Sequence, residues 1–417
     1  MNRMRCKIII SSLLLPLLCC TNFSLLGMAQ NKENNHTDSV LTWEFRISPA
    51  HAQHKTMQEV MEEIEYIPLA SSKNSEFAFG SNIVVDRDRI IVYHFFDYKN
   101  YLLIFDTKGK LIKRIDIPKD RLNGKQLFLD RDKQEIYISD AHNTSKALVY
   151  NYDGTLLRDA QTLPYGIYGK IGDSYISYRM HRYRIDKDNP YDLLYYKGME
   201  VANKWMYYKR DTSEQLSGQS DMQLRFSGKL PILSTIYDYK LHFLSEAGID
   251  SVYRFVLPQN LSVPADFLEN EVFWGKKSEF FKNDPAKIVS FQNHYHTPNN
   301  LAFKLDHLDF YGHRVTDVIY NTVSGTLVNL EFLQPDQTND FLPFFEKDYF
   351  FHNINIVASD GTNIYTLVAP ATLIEAYRNN KANNITDKFP ASLEKILKNE
   401  RYTDNYVLVR IKLKPKF

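Results

Sequence analysis

A strand–turn–strand pattern that returns about every 45 residues constrains this chain more than any other feature. Leu103-Ile104-Phe105-Asp106-Thr107-Lys108-Gly109-Lys110-Leu111 aligns with Leu148-Val149-Tyr150-Asn151-Tyr152-Asp153-Gly154-Thr155-Leu156. A third copy, Val318 to Leu327, carries one extra residue in its turn and a glycine at Gly325. In each copy the glycine supplies the positive φ of a tight hairpin. Another hairpin precedes it: Ile83–Asp86 leads into Ile90–Tyr93, and Leu127–Asp130 into Glu135–Ile138. Similar first hairpins are read at Ile167–Tyr178, at Ile232–Leu244 around Asp238, and at Ile354–Leu367 around Asp360-Gly361. Two hairpins per unit of this length make a four-stranded propeller blade. Five units are clear, and Asn300–Tyr311 supplies a sixth before the hairpin at Tyr320. A two-sheet sandwich would also be rich in strands but would not produce the repeat. The 28 Tyr and 26 Phe suit half-buried pleated surface. The expected fold is therefore all-β, a six-bladed β-propeller of four-stranded antiparallel blades. Extra material enters between Met180 and Gly218, and a small helical insertion is expected in the last blade. There Leu393, Ile396 and Leu397 follow Pro390 with the spacing of an apolar helix face.

Residues 1–29 read as a signal peptide: Arg3, Arg5 and Lys7, then an apolar run from Ile8 to Leu18, then Gly27-Met28-Ala29. The run is too short to span a membrane. Cleavage after Ala29 would leave Gln30 first. Lipidation at Cys20, giving an outer-membrane lipoprotein, is the alternative, with Cys19 a poor residue before that cut. Cys6, Cys19 and Cys20 are the three cysteines, so the mature chain is expected to lack disulfides and thiolate ligands. Residues 30–60 are expected to form a polar tether (Gln30–Ser39) and a short helix around Thr56–Glu63, with the propeller over 61–417. With 51 basic against 50 acidic residues there is no field to attract nucleic acid. The expectation is an exported, monomeric protein of the periplasm or exterior, with no membrane span.

Ile64-Glu65-Tyr66-Ile67-Pro68-Leu69, Phe105-Asp106-x-x-Gly109-Lys110 and the closing run Asp404 to Lys414 resemble segments of one known group. It is the secreted, NHL-like six-bladed β-propellers of Bacteroides-type gut bacteria. The resemblance implies export and a ring closed by an N-terminal strand beside the C-terminal blade, which protects strand edges. Where relatives carry a Gly-Pro-rich stretch ending in Glu-Tyr, this chain has Lys119-Asp120-Arg121-Leu122-Asn123-Gly124. The family has no single established activity.

Loops after the second strand of each blade share one face of a propeller. His94, His142 and His181 fall just after the predicted second strands of the first three blades, with Asp97, Tyr98 and Asp140 close by. Three imidazoles at one mouth could hold a metal or relay protons, and unrelated solvated histidines are the commoner outcome. Arg179, His181, Arg182, Tyr183 and Arg184, followed by Tyr191, Tyr195 and Tyr196, make a basic-aromatic loop suited to an anionic sugar or a partner. His294-Tyr295-His296 would place two imidazoles on one strand face, and His307, Asp309 and His313 follow. No hydrolase, phosphate-loop or calcium-loop motif is present. No catalytic residue is assigned and no cofactor is predicted, with a divalent metal in the central channel left open. Three functions follow: a binding module for a glycan or envelope protein, a metal-dependent hydrolase or lyase, or a structural or sensory part of an envelope complex.

Overall fold

A computed structural model describes residues 40–417 apart from 79, 96–98, 118–125, 140–145, 165, 179–190, 208–223, 308–313 and 347–355. The leader and the tether Gln30–Ser39 lie outside the described residues. Two strands come first, β1 (Leu41–Arg46) and β2 (Met61–Pro68), with α1 (Met57–Val60) just ahead of β2. Blade 1 holds β3 (Asn82–Asp86), β4 (Arg89–His94), β5 (Tyr101–Asp106) and β6 (Leu111–Asp116). Blade 2 holds β7 (Gln126–Asp130), β8 (Glu135–Ser139), β9 (Lys146–Asn151) and β10 (Leu156–Thr162). Blade 3 holds β11 (Ile167–Ile171), β12 (Ser174–Tyr178), β13 (Tyr191–Lys197) and β14 (Glu200–Tyr207). Blade 4 holds β15 (Leu224–Ser227), β16 (Leu230–Ser234), β17 (Lys240–Ser245) and β18 (Gly248–Val256). After α2 (Lys277–Asn283), blade 5 holds β19 (Ile288–Thr297), β20 (Asn300–His307), β21 (Arg314–Asn321) and β22 (Leu327–Asn329). Blade 6 holds β23 (Ile356–Ser359), β24 (Ile364–Val368) and β25 (Val407–Leu413), with α3 (Pro370–Ala382) and α4 (Glu394–Lys398) inserted before β25. Its outermost strand is β2.

Strands buried on both faces read as continuous apolar runs, and alternate residues serve opposite interfaces. In β4, Ile90 and Val92 join the core between blades 6 and 1, while Ile91 and Tyr93 join the core between blades 1 and 2. The six apolar clusters correspond to the six interfaces between neighbouring blades. The cluster between blades 5 and 6 extends onto the helices, where Leu373, Leu393, Ile396 and Leu397 are buried. The repeated turns share one chemistry. Asp106 Oδ1 accepts the Lys108 and Lys110 amides (both 2.9 Å), and Asn151 Oδ1 accepts those of Asp153 and Thr155 (3.1 and 2.8 Å). Asn321 Oδ1 takes the same role for Val323 and Ser324. A side chain that caps its own turn is why Asp or Asn recurs there.

The ring closes as the resemblance implied. β2 pairs antiparallel with β25, setting Ile64 against Ile411, Tyr66 against Val409 and Pro68 against Val407. Arg410 bridges Glu63 and Glu65 (3.0 and 2.8 Å), and Lys412 meets Glu62 (2.8 Å).

Three details differ from expectation. The helix near Thr56 is confined to Met57–Val60: Glu59 caps the Thr56 amide (2.8 Å), but from Met61 onward pairing with β25 takes over. Between the expected tether Gln30–Ser39 and the short helix, Leu41–Arg46 is a strand that pairs parallel with β18 and gives blade 4 a fifth strand. Two first hairpins are shifted by one strand. Ile232–Leu244 spans β16 and β17; the first hairpin of blade 4 is β15–β16, whose first strand, Leu-Arg-Phe-Ser, is only four residues long. Asn300 begins β20, the second strand of blade 5, because β19 is polar and bulged at Asn293 (φ 47°), which breaks the period of two.

Gly109 (φ 80°) rests on the end of the closing strand, and a Cβ there would lie 2.2 Å from the Pro68 carbonyl oxygen. Gly198 (φ 60°) has open space around it. Gly198→Ala is expected to cost only the left-handed backbone penalty, about 1 kcal/mol. Gly109→Ala adds a clash with main chain and is expected to cost at least about 3 kcal/mol. Urea unfolding of the two variants measures the difference; equal losses would mean that the first-blade turn does not brace the closure.

Candidate functional site

The two ends of the propeller are unequal. Where the first strand of each blade turns into the second, the connections are tight, as at 87–88, 172–173, 228–229 and 298–299. At the other end lie 69–78, 257–287, 330–346 and 369–406. Long connections on a rigid scaffold are where propellers and barrels place recognition.

The tight end is stitched across the axis. The Gly228 amide donates to the Ser359 carbonyl (3.2 Å), joining blades 4 and 6, and Lys229 pairs with Asp132 of blade 2. Buried ion pairs join successive blades beside it. Arg131 Nε lies 3.3 Å from Asp86 Oδ1, and Asp86 Oδ2 accepts the Tyr152 hydroxyl (2.6 Å). Lys170 pairs with Asp130, both buried. Burial pulls the Arg131 guanidinium down from its ordinary value, and the Asp86 charge opposes it.

Above this floor a cavity of about 80 Å³ lies on the axis. Each innermost strand contributes to its wall, through Val84, Leu127, Tyr168, Arg225, Tyr295 and Ser359. Arg131 also reaches it, with its guanidinium 5.2 Å from the Phe226 ring centre. Gly169 makes room for that ring, since a Cβ there would lie 2.5 Å from it. Arg225 sits across β15–β16 from Ile232, whose carbonyl accepts from His294 Nε2 at 2.9 Å.

Of the candidate binding residues, His94 is described. It is buried at the end of β4, its Nδ1 accepts from the Ala78 amide (3.3 Å), and its ring stacks on Tyr101 at 4.5 Å. It is placed as a strand-end brace, with Ser81 Oγ also 3.2 Å from Nδ1. Asp97, Tyr98, Asp140, His142, Arg179, His181, Arg182, Tyr183 and Arg184 lie outside the described residues, as do Asp309 and His313. Tyr195 and Tyr196 are in β13, buried against neighbouring blades. His294 and His296 do share a face, turned to blade 4: His294 meets Ile232, and His296 packs edge-on to Phe243 at 5.5 Å. Among the described residues no three His, Asp or Glu side chains gather as metal ligands. The axial residues Arg131, Arg225 and Phe226 carry no motif. The one sequence signal was an arginine inside a four-residue strand ahead of Gly228.

Six blades of four strands each, with β1 added to the edge of blade 4, stand around a common axial cavity and define a closed six-bladed β-propeller. A family model described as a 6-bladed beta-propeller matches residues 29–358, and the chain belongs to that family. That match gives an architecture and no activity. The crystal structure of a Bacteroides fragilis protein described as exported superposes with a TM-score of 0.63 at 16% identity. The alignment covers 89% of this chain and 99% of that one. Myxococcus xanthus glutaminyl cyclase aligns at a TM-score of 0.30 and 9% identity, over 63% of this chain and 93% of that one, too weakly to bear on this chain. No curated protein sequence matches. Among the described residues no helix is long and apolar enough to cross a membrane.

Two buried imidazoles make stability depend on pH. Burial pushes His242 and His294 from 6.5 down to about 4; Asp238 opposes the shift at His242 and the Arg225 charge adds to it at His294. The unfolded chain therefore binds more protons between pH 6.5 and 4. This contribution is complete above 6.5 and is lost as pH falls toward 4, with a slope of up to about 1.4 kcal/mol per pH unit for each histidine. Burial also pulls His296 down, so His242→Leu is expected to flatten, though not remove, the fall of Tm across that window. An unchanged profile would show that His242 is not held neutral.

Proposed function

We propose that this propeller is an exported binding module that takes its ligand or partner protein on the end carrying the long connections. The observation that carries this reading is the inequality of the two ends: tight turns at one, extended connections at the other. A ring whose interfaces are filled by apolar side chains gives such connections a rigid base, which lowers the ordering cost of binding. The basic-aromatic run Arg179, His181, Arg182, Tyr183 and Arg184 falls in the sequence between β12 and β13, so an acidic glycan or an acidic protein surface is the favoured class. Export is supported by the leader-like residues 1–29 and by the fold shared with an exported Bacteroides fragilis protein.

The test is a glycan array and an envelope-extract pull-down with the mature protein. Arg179→Ala, Arg182→Ala and Arg184→Ala together are expected to weaken the captured interaction at least about tenfold. Lys108→Ala with Val323→Ser, on turns at the opposite end, is expected to leave it unchanged. Loss of binding in the second variant alone would place recognition at the wrong end. Stoichiometric zinc or calcium in the purified protein would overturn the reading in favour of a metal-dependent hydrolase or lyase.

A further inference from the structure

We propose that the axial cavity is a binding site for a small carboxylate, held by Arg225. This site is separate from the loop-bearing end, since Arg131 and Ser359 of its wall belong to the end with tight turns. Two guanidinium groups reach the cavity, and no aspartate or glutamate lines it. Arg131 is ion-paired with Asp86, at 3.3 Å. Arg225 has no ion pair or hydrogen bond among the described residues, and its Nε is fully buried without an acceptor. A buried charged donor left without an acceptor is costly, and native proteins leave one chiefly where a water or ligand completes it.

The neighbouring groups leave that vacancy for an anion. His294 commits its Nε2 proton to the Ile232 carbonyl, and the Tyr295 hydroxyl donates to the Val357 carbonyl at 3.0 Å. Ser359 Oγ accepts the Gly361 amide at 3.0 Å, so its own proton is available to a ligand oxygen.

Shape and chemistry select a carboxylate over phosphate. A planar two-oxygen anion is matched by a single arginine fork. Phosphate sites call on several donors or a helix N-terminus, whereas no helix N-terminus lines this wall, which sets Arg131 and Arg225 among Leu127, Phe128, Leu129 and Phe226. A volume of about 80 Å³ admits several waters or one short-chain acid.

Acetate and propionate, with inorganic phosphate as control, are titrated into the full mature protein, followed by Tm and by line broadening of the ¹³C-labelled acid. The two acids are expected to bind in the millimolar range or tighter and phosphate at least about tenfold more weakly. Arg225→Gln is expected to weaken acetate at least about tenfold. Arg225→Lys, which keeps charge without the fork, is expected to fall between them, and it serves as the test should the glutamine variant not fold. No acid binding to the unaltered protein, phosphate binding as tight as acetate, or undiminished binding in Arg225→Gln or, in its place, Arg225→Lys would overturn the proposal.

Discussion

Everything in this molecule depends on one antiparallel pairing, that of β2 with β25. The apolar cluster between blades 6 and 1 draws Ile67 and Leu69 from the chain's start, Leu408 from its end, and Ile83, Val85 and Phe105 from blade 1. Without β2 in place, that cluster would lose part of its wall and β25 would offer an unpaired edge. A propeller has no single central core; it has six interfaces in a ring, and each is complete only if both neighbours are held. Closure by distant parts of one chain therefore stabilises interfaces it never touches. The docking of Gly109 beneath Pro68 and the charged ladder of Glu62, Glu63, Glu65, Arg410 and Lys412 lie on this same seam. The exposed ladder adds little energy by itself. It matches the register that the apolar residues already impose.

The N-terminal path extends the same logic outward. β1 covers the edge of blade 4, the chain then bridges blade 5 at Gln53–Val328 and Thr56–Gln334, and only then enters blade 6. Phe45 reaches Tyr253, Phe255 and Tyr320, tying the rims of blades 4 and 5 together. Opening of the closure strand thus has to peel a belt across three blades, which makes local opening there approach global unfolding.

The fold was legible because burial on both strand faces writes long apolar runs, and because each turn needs glycine after Asp or Asn. Gly109, Gly154 and Gly325 mark the same place in three blades for that reason. Where a strand is short or bulged the signal fails, and this is why β15 and β19 carry no clear pattern and their partners read as first strands. β1 is silent in the sequence for a different reason: it is an edge strand with exposed Leu41 and Trp43, so no burial pattern announces it. The site was far less legible. His94 fell at a strand end as expected, yet its environment is a stacking and hydrogen-bonding niche. The axial residues come one or two from each blade and converge only after six strands meet, so no window of sequence can display them together.

The axis also shows how such a fold tolerates charge. Successive blades meet there through Asp86 with Arg131 and Asp130 with Lys170, pairs whose desolvation offsets much of their attraction. Removing one partner would leave the other stranded, so these pairs act on which blades sit side by side more than on net stability. Arg225 departs from the pattern: it stands in the same ring of innermost strands, yet blade 5 answers it with a neutral His294 and the carbonyl-bound Tyr295 instead of a carboxylate. In a ring that otherwise pairs its buried charges, Arg225 is a half-buried cation faced by neutral groups, and the proposed carboxylate would supply the missing negative charge.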